Sequence, residues 1–352
     1  MADPPQKKQI NLLRGWPAPS LLPAPLLAAA AATVLSDPSL YVPALQYGPD
    51  PGYQPLREAL ATWLGTAYGS TPDDTADNIC ITGGASQSVA CILQSFTDVG
   101  ATRGVWVVEP GYFLVGGMVR DAGLGGVMRG VRESPDGEGI DVRALEEGMR
   151  AVDAAWEARE AVHGPTPTYK SPAPHRKLYR HIIYLVPTFN NPSATTLSLP
   201  RRTALVHLAR KHDALLLCDD VYDFLQWPTS PPSSTGPIPL GPLLPRLSTL
   251  DMALGPSAFE TTPGKVFGHA LSNGTFSKLL GPGVRTGWVH AASDFVHGLA
   301  QTGSSRSGGA PSQVAAAVVC RVVEDGGLGR WLEEVVRPGL RRRVAGVMVS
   351  TE

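Results

Sequence analysis

The segment Ser272–Lys278 reads Ser-Asn-Gly-Thr-Phe-Ser-Lys, and it is followed closely by Gly281–Trp288, which reads Gly-Pro-Gly-Val-Arg-Thr-Gly-Trp. Hydroxyl side chains, an arginine and the backbone amides of a glycine-rich turn are groups that bind a phosphate dianion. A lysine beside such groups can form a Schiff base with a phosphorylated aldehyde. The two segments therefore predict a phosphate-binding turn with a reactive Lys278. Taken alone, the pattern also fits an ordinary surface lysine in a loop.

Four short apolar runs precede this segment, namely Ile79–Thr82, Val105–Val108, His181–Val186 and Ala214–Cys218. A helical or irregular segment separates each run from the next. Continuous apolar strands that alternate with helices are typical of a parallel sheet covered on both faces. We therefore predict an α/β fold with a mostly parallel sheet between helices, whose binding groups lie at the carboxyl ends of the strands.

Polar groups follow the apolar runs at these ends. Gly83–Ser86 follows the first run and leads into a helix-like segment, and Pro187–Pro192 follows the third. The fourth run continues into Asp219, Asp220 and Tyr222. Because the carboxyl ends of parallel strands meet at one edge of a sheet, we expect these groups to lie near Lys278.

In their order along the chain, these four blocks resemble the class I/II aminotransferase family of fold-type I pyridoxal-phosphate (PLP) enzymes. The resemblance extends over roughly residues 12–345. The segments Leu45–Tyr47 and Asp223–Trp227, and the seven-residue step from Lys278 to Arg285, look most like the 2-aminoadipate/kynurenine aminotransferase branch. Gly15 and Pro17 then correspond to an N-terminal arm that closes over the substrate.

The resemblance implies a catalytic set of three residues with PLP as the cofactor. Lys278 would carry the cofactor and, once released, would move the proton between the substrate Cα and the cofactor. Asp219 would pair with the pyridinium nitrogen. Asp220 competes for that role, but the family places a tyrosine three residues after the aspartate, which favours Asp219 with Tyr222. Asn191 and Tyr222 would bind the phenolic oxygen of the ring.

The resemblance also implies a phosphate site. Ala85 and Ser86 would supply donors at a helix N-terminus. Thr275, Ser277 and Arg285 would complete the site from the segment that carries Lys278.

Two tyrosines have further implied roles. Tyr112 would stack on the cofactor ring, with a core aromatic residue as the alternative. Tyr47 resembles the tyrosine that reaches the phosphate of the neighbouring subunit, which implies a homodimer with shared active sites.

The implied activity is transfer of an amino group from an amino acid to a 2-oxo acid, with 2-oxoglutarate as the expected acceptor. A PLP lyase or decarboxylase on the same scaffold is one alternative, because the cofactor residues do not separate these reactions. A truncated, inactive relative with a binding or regulatory role is another. A part in secondary metabolite biosynthesis is also left open.

The motif positions predict an arm and first helix over residues 1–44 and a large PLP-binding domain over 45–310. Pro-rich insertions are expected at about 164–174 and 228–264. Residues 311–352 would form a connecting helix, kinked near Pro338, and the stub of a small domain. The arginine that holds the substrate carboxylate in this family has no matching position, so activity is in question. Arg14 and Arg341–Arg343 are interpreted as solvent-facing charges.

Composition excludes several function classes. The 352 residues carry 30 Lys and Arg against 31 Asp and Glu, so no basic excess points to nucleic acid or an anionic membrane. Leu21–Leu35 is interpreted as a helix rather than a secretory leader, and no apolar run of membrane-spanning length follows. The four cysteines lack metal or disulfide spacing, and His290 and His297 are interpreted as structural, so no metal site is expected. A cytoplasmic protein with reduced thiols is predicted.

Overall fold

Seven strands form one sheet in the computed structural model, which describes residues 15–69, 75–172, 174–227, 236–309 and 311–349. The strand order is β1-β7-β6-β5-β4-β2-β3. The strands are β1 Ile79–Thr82, β2 Gly104–Glu109, β3 Met128–Arg132, β4 His181–Leu185, β5 Ala214–Asp219, β6 Ala270–Thr275 and β7 Gly287–His290.

The sheet is mixed rather than wholly parallel. Strands β3, β2, β4, β5 and β6 run parallel, which confirms the predicted α/β fold, whereas β7 runs antiparallel to both β6 and β1. Strand β7 follows β6 after a short glycine-rich turn instead of a crossover helix, so it must return beside β6 in the opposite direction. Its register pairs Thr275 with Gly287, which places the turn at the carboxyl end of β6.

Twelve α-helices surround the sheet within the described residues. They are α1 Ala24–Ser36, α2 Pro38–Leu45, α3 Gln54–Tyr68, α4 Ala85–Phe96, α5 Val115–Asp121, α6 Val142–His163, α7 Leu199–Lys211, α8 Leu247–Met252, α9 Ser293–Ala300, α10 Gln313–Glu324, α11 Gly327–Trp331 and α12 Arg337–Val349. A π-turn over Leu332–Val336 joins α11 to α12 just before Pro338, so the irregularity expected at Pro338 lies slightly earlier in the chain.

The central strands are buried on both faces because successive side chains alternate between two cores. In β4, Ile182 and Tyr184 join the core beneath α4, α5 and α9. Ile183 and Leu185 join the core beneath α6, α7 and α8. Strand β4 therefore needs apolar side chains at almost every position, and this explains its continuous apolar run.

A third core joins the two ends of the described chain. Leu56, Leu60 and Leu64 of α3 lie in one cluster with Val319 and Cys320 of α10. Helix α1 also contacts α10. The N-terminal helices are thus packed against the connecting helix that precedes the C-terminal segment.

The first Pro-rich insertion is bound to helix α4. The backbone N–H groups of Tyr169 and Lys170 donate to Asp98 Oδ2 at 2.9 and 2.8 Å, and the Lys170 ammonium donates to the carbonyls of Gln94 and Thr97 at 2.7 and 2.6 Å. A cation that binds the last carbonyls of a helix stabilises its C-terminus. The insertion therefore secures the end of α4 farthest from its N-terminal turn.

We expect Asp98→Ala to lower the free energy of unfolding by about 2–3 kcal/mol, because its buried carboxylate accepts three backbone N–H groups that would lose their partner. Urea titration followed by circular dichroism measures this loss. Asp325→Ala, which removes an exposed partner of Arg321, is the control and should change stability by under about 0.5 kcal/mol. Equal effects of the two variants would contradict the anchoring role of Asp98.

The second insertion is also tied to the main body over its described residues. The N–H of Ile238 donates to the carbonyl of Glu333 at 2.9 Å, and the buried Arg337 guanidinium donates to the carbonyl of Ile238 at 2.7 Å. Leu247, at the start of α8, is fully buried in the core with α6 and α7. Sequence analysis does not predict this packing, because the Glu333 carbonyl and the Arg337 guanidinium that bind the segment lie about a hundred residues away along the chain.

No single helix of the described chain is long and apolar enough to span a bilayer. Helices α1 and α2 reach the required length and apolarity only when they are taken together across a bend of 96°.

Candidate active site

The candidate site lies at the carboxyl ends of β4, β5 and β6, beside the N-terminus of α4. Lys278 ends a 3₁₀ turn, Phe276–Lys278, directly after β6. The Thr275 hydroxyl oxygen accepts the N–H of Ser277 at 3.2 Å and lies 2.9 Å from the Ser277 hydroxyl. This capping bond starts the turn, and so it fixes the direction in which Lys278 leaves the strand.

The Lys278 ammonium is half-buried and donates to the carbonyl of Gly15 at 2.8 Å. The N-terminal arm therefore reaches the lysine, while the closure of this arm over a substrate stays a prediction. Burial lowers the pKa of Lys278, and the negative charge of Asp219 partly opposes this shift. Arg14 lies outside the described residues.

Asp219 ends β5 and is only 7% exposed. Its Oδ2 accepts the hydroxyl of Tyr184 at 2.7 Å, whereas its buried Oδ1 has no hydrogen-bond partner among the described residues. Burial raises the pKa of Asp219 to about 6, against the Tyr184 hydrogen bond and the charge of Lys278. A buried carboxylate oxygen without a donor is costly, so this geometry suits a ligand that brings a cationic N–H.

Asp220 has different surroundings from its neighbour. Burial and the nearby Asp223 carboxylate raise the pKa of Asp220, and the positive charges that act on it are Arg202 and Arg246. The charge of Lys278 lowers the pKa of Asp219, whereas the main positive charges at Asp220 are those of Arg202 and Arg246. The structure therefore favours Asp219 for the pairing with a ring nitrogen, although the role itself stays a prediction.

The charge of Asp219 acts on two of the predicted aromatic residues. Asp219 and burial together raise the pKa of both Tyr112 and Tyr222, with burial the larger cause. The Asn191 side chain interacts with the Tyr222 phenol, and the Ser86 hydroxyl with the Tyr112 phenol, and both interactions oppose the rise. The four side chains thus form two pairs, Tyr222 with Asn191 and Tyr112 with Ser86, and the charge of Asp219 acts on both phenols. Their roles toward a cofactor stay predictions.

Of the predicted phosphate-binding groups, Arg285 lies against the turn that leads into α4, which begins at Ala85. Thr275 and Ser277 are bonded to each other, and their role toward a phosphate stays a prediction. Gly84 precedes the helix with φ 102°, and a Cβ there would come within 2.8 Å of Arg285 Nη2. Arg285 donates to the carbonyl of Gly83 at 2.7 Å. A Cβ on Gly287 would lie 2.9 Å from the Gly84 Cα, so the turn after β6 approaches α4 closely. These glycines let an arginine and free helix N–H groups share one small space.

Tyr47 is the predicted residue that the structure does not bring into this site. It follows α2 and is 84% exposed. Its assignment to the phosphate of a neighbouring subunit stays a prediction.

Other residues singled out in the sequence have structural surroundings. His290 Nδ1 lies 2.9 Å from the Ser248 hydroxyl, and the His297 ring lies against that of His175. All four cysteines are buried and free. Arg343 donates to Ser20 and to the carbonyl of Gly339. Within the described residues, no three histidine, cysteine or carboxylate side chains are grouped to hold a metal ion.

Tyr184 is a site residue that sequence analysis misses. It lies inside an apolar run and reads as a core residue, yet its hydroxyl orients the Asp219 carboxylate. The available signal was the phenol itself, because a buried tyrosine hydroxyl almost always needs an acceptor.

The residues present fit PLP. The unpartnered Oδ1 of Asp219 suits the protonated ring nitrogen, and the first turn of α4 with Arg285 suits the phosphate. Lys278 supplies the amine that would react with the aldehyde carbon of PLP.

Comparison with known proteins identifies the family. The family described as "Aminotransferase class I and II" matches residues 42–337. The chain belongs to this family.

Individual relatives agree with the match. The chain is 34% identical over 341 residues to an uncharacterized protein of Saccharomyces cerevisiae, which covers 92% of this chain and 73% of that protein. It is 28% identical to the 2-aminoadipate transaminase of Thermus thermophilus, over 83% of this chain and 57% of that protein. The solved kynurenine aminotransferase of Pyrococcus horikoshii, in complex with PMP, superimposes with a TM-score of 0.65 at 25% identity.

The match with the Pyrococcus structure covers 91% of this chain and 64% of that chain. Against the Thermus and Pyrococcus proteins, the chain described here therefore spans less than two thirds of the relative's length.

Proposed function

We propose that this chain binds PLP at Lys278 and transfers an amino group from an amino acid to a 2-oxo acid, with 2-oxoglutarate as the acceptor. One observation carries the proposal: Asp219, a buried carboxylate with an unpartnered oxygen, acts electrostatically on a half-buried lysine that follows the next strand of the sheet. Membership of the class I and II aminotransferase family supports the same conclusion.

PLP, when bound, supplies an electron sink for the carbanion that forms at the substrate Cα. Asp219 holds the proton on the ring nitrogen, because a buried carboxylate beside that nitrogen favours its charged form. Tyr184 keeps the carboxylate oriented through its 2.7 Å hydrogen bond. Tyr222 and Asn191 bind the ring oxygen, and Tyr112 packs against the ring face.

Lys278 moves the proton at the substrate Cα. A lysine with an ordinary pKa is almost fully protonated near pH 7 and is a poor base. Burial lowers the pKa of Lys278 and so increases the fraction of free amine that can accept the proton. With PLP bound, the same amine would hold the proton taken from the substrate Cα and would be the group placed to give it back.

The test uses the purified 352-residue chain with PLP. We expect a visible absorbance band on binding, its loss when a suitable amino acid is added, and its return when 2-oxoglutarate is added with release of glutamate. A panel of single amino acids, aromatic ones and 2-aminoadipate included, identifies the donor. A band that no amino acid changes would overturn the transfer reaction, and absence of the band would overturn the cofactor assignment.

The proposal includes a homodimer in the cytoplasm, with Tyr47 of each subunit serving the phosphate site of the other. The exposure of Tyr47 supports this arrangement, and the four free, buried cysteines agree with a reducing compartment. A part in secondary metabolite biosynthesis stays a prediction.

The shared site predicts complementation between two defective variants. Lys278→Ala and Tyr47→Ala, mixed and reassociated, form mixed dimers in which one of two sites holds both intact residues. We therefore expect recovery of about a quarter of wild-type transamination, since about half of the dimers are mixed. Steady-state assays before and after reassociation measure it. Recovery no greater than the sum of the separate variants would contradict the assignment of Tyr47.

A further inference from the structure

Asn273 is a buried amide that the proposed mechanism does not use. It lies within β6 and is 0% exposed, and every residue of that strand is buried. An amide in such a place is costly unless its polar atoms are hydrogen-bonded. Its bonds therefore show what the residue holds together.

The Asn273 side chain is bonded to the first turn of α4. Its Nδ2 donates to the carbonyl of Ala85 at 3.1 Å, and its Oδ1 accepts the hydroxyl of Ser88, which is also fully buried. The Ser88 hydroxyl lies 2.8 Å from the same Ala85 carbonyl. Asn273 thus binds the first turn of α4 to the sheet, and the free N–H groups of this turn form the proposed phosphate site.

The Asn273 main chain is bonded to the end of β5. It is the register partner of Asp219, and its carbonyl accepts the N–H of Asp220 at 3.1 Å. A single residue therefore connects the helix turn to the strand end that carries the carboxylate.

We propose that Asn273 is a positioning residue that sets the separation between the phosphate site at α4 and the Asp219 carboxylate. The inference rests on the proposed function, because the ligand that spans both groups is PLP. A rigid ring with a phosphate arm makes its best hydrogen bonds to both the α4 turn and the Asp219 carboxylate only when the distance between these two groups matches the length of the ligand. Asn273 contacts neither end of the ligand and acts through Ala85, Ser88 and Asp219.

A purely structural role makes a different prediction. If Asn273 only filled space, its loss would weaken every ligand of the site alike, through a less stable fold. If it sets the separation, its loss weakens a ligand that uses both ends and spares one that uses the Asp219 end alone. Pyridoxal, which has the same ring and aldehyde as PLP without the phosphate, is such a ligand.

The experiment measures dissociation constants of the full chain for PLP and for pyridoxal by absorbance titration. Asn273→Leu keeps the branched shape and the number of side-chain heavy atoms, removes both polar atoms, and leaves the Ser88 hydroxyl bonded to Ala85. We expect the PLP constant to rise about tenfold, the loss of roughly one good hydrogen bond, and the pyridoxal constant to change less than about twofold. Thermal unfolding of the ligand-free chain checks the fold.

Two further variants keep the result decisive. Ser88→Ala removes the donor to Asn273 by a smaller change and should shift the same ratio in the same direction, so it decides the matter if Asn273→Leu does not fold. Ser95→Ala removes a buried hydroxyl contact of α4 with Thr302 near the other end of the helix and should leave the ratio unchanged. Equal weakening of both ligands, or no weakening, overturns the proposal. A folded wild type that binds no PLP instead marks failure of the proposed function.

Discussion

Replacing Lys278 by alanine is expected to abolish transamination, with a loss of about 10⁴-fold or more in kcat, because the variant lacks both the covalent attachment and the proton-transferring amine. The visible band of the PLP-loaded chain should disappear as well. Borohydride reduction of the wild type, followed by peptide mass analysis, should place a phosphopyridoxyl group on Lys278.

Lys211→Ala is the matched control for this variant. Lys211 is an exposed lysine of α7 paired with Glu146 at 2.7 Å, and it lies in no part of the site. Its replacement should leave both the band and the rate near their wild-type values. A Lys278→Ala protein that kept the band, or a reduced wild type labelled at another lysine, would contradict the assignment.

The second large effect concerns Asp219→Asn. Without the carboxylate, the ring nitrogen loses the partner that keeps it protonated, and we expect kcat to fall by on the order of 10³-fold. Asp220→Asn is the matched control, because Asp220 is equally buried and adjacent but faces Asp223 and Arg202. It should keep activity within about tenfold of wild type. The reverse ranking of the two variants would move the role to Asp220.

The same substitution should change stability in the opposite direction. Burial raises the folded-state pKa of Asp219 to about 6 from an ordinary value near 3.8, so the folded chain binds a proton that the unfolded chain has already lost between these two pH values. Stability of the PLP-free wild type therefore falls as pH rises from about 4 to 6, and Asp219 contributes a penalty of about 3 kcal/mol above pH 6.

Asp219→Asn has no charge to bury, so its stability should exceed that of the wild type above pH 6 and fall about 2 kcal/mol below it under pH 4, where the wild-type carboxyl is neutral and the variant keeps its unpartnered amide. The gain should be about 1 kcal/mol, since the new amide N–H lacks an acceptor where Oδ1 lacked a donor. Chemical denaturation across pH 4–8 without PLP measures the difference. A constant difference at every pH would show that the carboxyl does not titrate in this interval.

These opposed effects describe how the site is built. A buried carboxylate with one oxygen that lacks a hydrogen-bond donor lowers the stability of the PLP-free chain. Its burial becomes favourable only beside a cationic ring nitrogen. Lys278 contributes a charge nearby, but its ammonium donates to the Gly15 carbonyl rather than to Asp219. The fold thus holds the Lys278 ammonium and the Asp219 carboxylate near each other without a hydrogen bond between them.

Much of this could be predicted from the sequence, because the decisive groups are local. Lys278, Thr275, Ser277 and Arg285 lie within eleven residues of one another, and each other block directly follows an apolar run that forms a strand. Apolar runs indicate buried strands, and the residues that directly follow them lie where those strands end, at the carboxyl edge of the sheet. The family, the α/β fold and the set of candidate groups therefore follow from the order of residues alone.

Only the tertiary structure decided which groups meet. Four features depend on strand order and on the face of the sheet that each side chain takes. They are the antiparallel β7, the pairing of Tyr184 with Asp219, the different surroundings of Asp219 and Asp220, and the bond from Ser88 to Asn273 across 185 residues. No local pattern encodes such contacts, because a buried tyrosine or asparagine looks the same in the sequence whatever it bonds to. The sequence thus identified the chemical groups of the candidate site, and the packing of the sheet against α4 determined their geometry.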